Sequence, residues 1–337
     1  MTFGVRGALL DCVDDPFFVA DDRSIRYFAD GLLVIQDGCI AAIGPYETLI
    51  ANYVDLPVTT YGDRLITPGL IDTHIHFPQT EIIASYGEQL LEWLEKYTFP
   101  TERKFEDGDY AATVAEVFLD ELLRHGTTTA LVLATVFPAS VEALFQAAQQ
   151  RGLRLITGKV MMDRNAPAFL LDTAESSDRD CRQLIETWHG RDRLAYAVTP
   201  RFAPTSTPEQ LQVARQLLRD YEGLYLQSHL SENLNELAWV KELFPDDPDY
   251  LAVYERSGLV GDRAIYAHGI HLSDSEFQRL SRSGTAIAFC PTSNLFLGSG
   301  LFKIEQAKSR DYPIPVGLAT DVGGGTSFSL CQTASEA

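Results

Sequence analysis

Apolar and polar positions divide the chain into two textures. Up to residue 63 short apolar or alternating runs follow one another closely, at residues 5–10, 25–28, 31–36 and 39–43. Asp37-Gly38 separates the last two, and Asp-Gly between apolar runs is a strong hairpin signal. Residues 1–63 therefore read as a small N-terminal β domain. From residue 64 strand-like apolar runs alternate with stretches of helical spacing. The strand candidates are residues 65–76, 127–135, 154–162, 194–199, 224–229, 264–268, 285–290 and 316–321. Between them residues 112–123, 141–150 and 211–221 carry apolar positions near a 3.6 period. Strands that alternate with helices predict a parallel α/β architecture, and eight of them match a (β/α)8 TIM-type barrel over residues 64–337.

Two stretches break the alternation. Residues 77–110 form a long insert after the first barrel strand, with Leu90, Leu91, Trp93, Leu94 and Tyr97 on one helix face and Pro100 expected to end that helix. An insert at this end of a barrel is placed to wall a substrate pocket. The chain also stops soon after Asp321, in Gly323-Gly324-Gly325-Thr326 and a short tail, without room for a full closing helix.

Composition narrows the function classes. Lys plus Arg number 27 against 47 Asp plus Glu, a net charge of −20 that repels nucleic acid and anionic membranes. No apolar run approaches the roughly 18 residues of a membrane span. The first residues lack the pattern of a secretory signal. Cys12, Cys39, Cys181, Cys290 and Cys331 are scattered without Cys-x-x-Cys spacing and read as reduced thiols. A cytoplasmic protein is the expectation.

The chemistry gathers at strand ends. His74 and His76 lie two apart on an extended run, so both imidazoles face one side while Ile75 faces the other. Later strand ends carry Arg201-Phe202, His229 with Glu232 three residues on, His268, and Asp321. The C-terminal strand ends of a barrel converge. His74, His76 and His229 can supply three neutral nitrogens to a zinc ion, with Asp321 either a further ligand or a hydrogen-bond acceptor for bound water. Such an ion lowers the pKa of its water toward about 7. Glu232 is placed either to shuttle a proton or to favour a helix N-terminus. His268 is either a further ligand or a group that polarises the attacked water and the developing oxyanion. Arg201 stands where two-metal barrels carry a bridging lysine, and Lys159 lies within strand three, so one metal ion per subunit is expected. His125, at the start of a strand, reads as structural, His189 as solvated, and His271 as pointing elsewhere. Cys290 is a soft ligand on paper only.

The ordered set Pro68-Gly69-Leu70-Ile71-Asp72-Thr73-His74-Ile75-His76, His229, His268 and Asp321 resembles the amidohydrolase superfamily over essentially the whole chain. His76-Phe77-Pro78-Gln79, the run from Leu91 to Glu102, Gly158-Lys159-Val160, Thr199-Pro200-Arg201-Phe202-Ala203, Ser228-His229-Leu230-Ser231-Glu232-Asn233 and Thr320-Asp321-Val322-Gly323-Gly324-Gly325 resemble its guanine-deaminating branch. The resemblance implies zinc on His74, His76, His229 and Asp321, with Glu232 as proton shuttle assisted by His268 and Asp321. It implies a purine pocket lined by Gln79, Arg201 and Phe202 beside His76, His229, Glu232 and Asp321. The implied reaction is hydrolysis of guanine at C2 to xanthine and ammonia, in a homodimer. Arg201 suits two acceptors such as O6 and N7, although a plain salt bridge is its other reading. Members of this type continue well past the strand-eight aspartate, so the chain reads as truncated at its C-terminus. The competing readings are another mononuclear deaminase acting on a triazine, a pterin or another purine, and an inactive truncated relative.

Overall fold

The computed structural model describes residues 1–86 and 88–337, so position 87 of the insert lies outside it. The chain divides into two compact units, Met1–Gly69 and Leu70–Ala337. The first is a four-stranded sheet of β1 (Thr2–Cys12), β2 (Ile25–Gln36), β3 (Cys39–Pro45) and β4 (Val58–Ile66), in the order β3-β2-β1-β4. The runs at 25–28 and 31–36 join into the single strand β2. Gln36 pairs with Cys39 across Asp37-Gly38, both at positive φ, as a two-residue hairpin requires. Leu9, Leu32 and Val34 form its buried side.

The second unit holds eight parallel strands in sequential order: β5 (Leu70–His76), β6 (Thr127–Leu133), β7 (Arg154–Gly158), β9 (Leu194–Pro200), β10 (Tyr225–Leu230), β11 (Ala264–His268), β12 (Ala286–Phe289) and β13 (Val316–Leu318). The two-residue β8 (Val160–Met161) pairs with the end of β9. Past β13, Asp321 N donates to His74 O and His76 N to Val322 O, at 3.0 and 2.9 Å, which joins the last strand to the first and closes the ring.

Strand β9 shows why these runs are apolar throughout. Leu194, Tyr196 and Val198 pack outward under the helices, while Ala195 and Ala197 fill the barrel interior. A strand buried on both faces has no polar side to show. The helices lie between the strands: α1 (Gly108–Arg124), α2 (Pro138–Arg151), α3 (Ala174–Trp188), α4 (Pro208–Asp220), α5 (Leu234–Leu243), α6 (Tyr250–Arg256), α7 (Asp274–Ser283) and α8 (Pro291–Phe296).

The structure corrects several boundaries. The first strand candidate, 65–76, spans two strands, because Thr67-Pro68-Gly69 separates β4 from β5. The third breaks at Lys159. In the insert, Pro100 does not end the helix. Leu90–Trp93 is α-helical, Leu94–Thr98 widens to a π turn, and Phe99–Glu102 continues with Pro100 near its start, where a missing N–H costs least.

Candidate metal centre and active site

The parity of β5 sets the direction of its two histidines. Ile75 points outward into the main core, and Asp72, His74 and His76 point inward. His229 lies near the end of β10, His268 ends β11, and Asp321 follows β13. His268 and Asp321 both have positive φ, at 74° and 49°. Non-glycine residues in that region cluster at functional sites.

The imidazoles converge on one point. His76 Nε2 is 3.2 Å from His74 Nε2 and 3.3 Å from His229 Nε2. Asp321 Oδ1 lies 3.3 Å from His74 Nε2 and 3.4 Å from His76 Nε2. His229 Nδ1 donates to Arg201 O at 2.6 Å, so its Nε2 carries the lone pair in the neutral ring. Lone pairs held this close suit a cation between them. Ligand atoms about 2.0 Å from a tetrahedral centre stand about 3.3 Å apart, which is the spacing here. Burial, with His74 and other neighbouring charges adding to it, keeps His76 and His229 well below the ordinary imidazole range. Neutral nitrogens are the form a metal takes up. Burial pushes Asp321 up, but the hydrogen bond and charge of His74 outweigh it and hold the carboxylate ionised. The buried His and Asp group fits a metal ion.

Glu232 and His268 stand beside this group. Glu232 Oε2 is 3.3 Å from His268 Nε2, and Ser299 Oγ donates to Glu232 Oε1 at 3.2 Å. Burial raises the Glu232 carboxyl to about 7. Burial opposes charge on His268, but Glu232 and Asp321 outweigh it and raise its pKa. Asn294 Oδ1 takes the His268 Nδ1 proton at 2.9 Å and turns Nε2 toward the carboxylates. Glu232 is not the helix-terminal carboxylate of α5. Glu236 fills that position and accepts from Glu232 N and Asn233 N at 2.9 and 3.1 Å.

A cleft opens over the cluster, with His76, Gln79, Arg201, Phe202, His229, Glu232, His268 and Asp321 in its wall and Trp93 and Leu297 adding apolar surface. Every residue singled out for the site therefore borders one space except His74, which sits behind its partners. Arg201 meets both of its readings: it lines the cleft, and it is paired with Glu102.

The other residues fall elsewhere. Lys159 is buried against Asp172 and the Val160 carbonyl. His271 bonds Ser299 O, and His125 lies 3.8 Å from Glu121. His189 keeps part of its surface exposed while Tyr196 N donates to its Nδ1 at 3.1 Å and its Nε2 lies 3.1 Å from Glu222 O. Cys290 is buried, its sulfur close to the ligand atoms of His268 and Asp321. Sequence reasoning passed over Asp72, Glu102 and Asn294. Each is a buried polar residue within or beside a motif, a signal that spacing alone does not turn into a partner.

Residues 65–337 match the Amidohydrolase family. Over 337 residues the chain is 50% identical to a guanine deaminase of Escherichia coli (strain K12), a match that covers 99% of this chain and 76% of that protein. Its fold is similar to the crystal structure of guanine deaminase from Bradyrhizobium japonicum, with a TM-score of 0.98 and 43% identity over 100% of this chain and 73% of the other. It is also similar to guanine deaminase from C. acetobutylicum with guanine bound in the active site, with a TM-score of 0.93 and 31% identity over 100% and 78% of the two chains.

Proposed function

We infer that this chain, which belongs to the amidohydrolase family and within it to the guanine deaminases, hydrolyses guanine to xanthine and ammonia. The observation that carries the reading is the juxtaposition of a converging His and Asp cluster with a cleft that Arg201 and Gln79 also line. We propose that His74, His76, His229 and Asp321 hold one zinc ion, with His268 beside them. The ion supplies a Lewis acid that brings the pKa of a water to about 7.

The chain's own residues do the rest. Arg201 and Gln79 hold the purine by its O6 and N7 edge, and Phe202 walls the ring. Glu232 takes the proton that water gives up as it adds to C2, then delivers it to the departing amine. A carboxyl with a pKa of about 7 serves both halves of that transfer at neutral pH. His268 bridges Glu232 and Asp321 and holds the water between them. Water and guanine enter, xanthine and ammonia leave, and no redox partner is needed.

Ammonia release from guanine, adenine and cytosine, with metal content measured on the same protein, tests the reading. The expected result is one zinc per chain and ammonia from guanine. Zinc with no ammonia from any base points to an inactive relative, and ammonia only from another base to a sister enzyme. Glu232→Gln should keep the metal and lose at least about a hundredfold in kcat. Full turnover in that variant removes Glu232 from the reaction. The family resemblance implies a homodimer, which light scattering checks. Five free cysteines support a reducing, cytoplasmic setting. Among the described residues no helix is long and apolar enough to cross a membrane.

A further inference from the structure

Arg201 does not choose its own position in the cleft. Its Nη1 donates to both oxygens of Glu102, at 2.8 and 2.9 Å. Both side chains are buried, and no other partner holds the Glu102 carboxylate among the described residues. The ring of Phe99, three residues before Glu102 on the same helical segment, lies 5.5 Å from the guanidinium carbon. Positions three apart share a helix face, so one short stretch of the insert presents ring and carboxylate together. Glu102 itself does not border the cleft, whereas Arg201 does. With Nη1 occupied, the remaining N–H groups of Arg201 have no hydrogen-bond partner among the described residues and are left for a ligand.

Gln79 is fixed in a complementary way. Gly323 N donates to its Oε1 at 3.0 Å. A backbone N–H can pair only with the oxygen of the amide, so the Gln79 NH2 is the end left for the cleft. Arg201 and Gln79 thereby both face the cleft as donors. A wall of donors accepts a carbonyl oxygen and a ring nitrogen, and an exocyclic amine at the same place leaves them unpaired in a buried site, which costs heavily.

We propose that Glu102 is the positioning residue that holds Arg201 as a fixed donor, and that this clamp makes the cleft select a 6-oxopurine over its 6-amino analogue. The proposal rests on the guanine-deaminase reading. The probe is 2,6-diaminopurine, which keeps the leaving amine at C2 and differs from guanine at position 6. Glu102→Gln should raise KM for guanine by about tenfold or more, since it replaces a buried ion pair by a weaker hydrogen bond to a neutral amide. kcat should stay within about threefold, and the preference for guanine over 2,6-diaminopurine should shrink by about tenfold. Glu102→Asp retains the buried charge one methylene short and should show the same split at smaller size, with zinc content and melting temperature near the parent. Binding of xanthine, followed by calorimetry, reads the wall without turnover and separates a failure of the clamp from a failure of the deaminase reading. An unchanged KM and an unchanged preference in either folded variant overturns the proposal, as does a loss confined to melting temperature.

Discussion

Asp72 carries no ligand, yet it sets the ligands' frame. Its carboxylate accepts from Thr320 N, Thr320 Oγ1 and His74 N, so it fixes the residue before Asp321 and a ligand on β5 at once. Burial raises it from 3.8 to about 7. A raised carboxyl keeps its proton in the folded state after the unfolded chain has lost it. The group therefore favours folding below about pH 4, and that advantage drains away as pH rises to about 7, by up to about 4 kcal/mol. Asp72→Asn has no such titration. In metal-free protein the melting temperature of the parent, taken relative to Asp72→Asn, should fall as pH rises from about 5 to about 7 and level off above it. Parallel curves would contradict this. At this scale the sequence was partly legible. His74, His76, His229, His268 and Asp321 were readable because strand parity and strand ends suffice to aim them. Glu102, Asp72 and Asn294 were not, since what gives each its role is a partner 99, 248 or 26 residues away.

Among the elements, the strands were legible and their breaks were not. A continuous apolar run marks a strand covered on both faces, which is why all eight were found. Nothing in the run 154–162 announces that Lys159 leaves the ladder to pair with Asp172. The insert misled for a related reason: a π turn over Leu94–Thr98 carries the helix past Pro100, and a 3.6-residue period does not anticipate it. Gly158 shows how tightly the strands meet. A Cβ there would lie 1.9 Å from the Ala197 carbonyl oxygen of β9, a backbone atom that cannot turn aside. Gly158→Ala should cost about 3 kcal/mol or more in urea unfolding. Gly62→Ala, where nothing lies within 4 Å, should stay within about 0.5 kcal/mol of the parent. Equal effects at the two positions would rule out steric closeness as the reason for glycine at 158.

For the whole molecule a metal held by this cluster would be a stability element as well as a catalytic one. The converging nitrogens of His74, His76 and His229 repel one another when nothing lies between them. An ion present at a hundred times its Kd adds about 2.7 kcal/mol to the native state alone. In a protein of this size that amounts to about 4 °C. Chelation should lower the melting temperature by that amount, and added zinc should restore it. An unchanged melt would mean that the cluster is not a tight site.

The closure between β5 and the segment after β13 has one more consequence. His74 and Asp321 stand on the two sides of the barrel's seam, joined by the bond from Asp321 N to His74 O. A chain leaving the ribosome carries His74 and His76 long before Asp321. The complete donor set therefore exists only once the ring has closed, and a metal held by all four residues would report that the last strand has found the first.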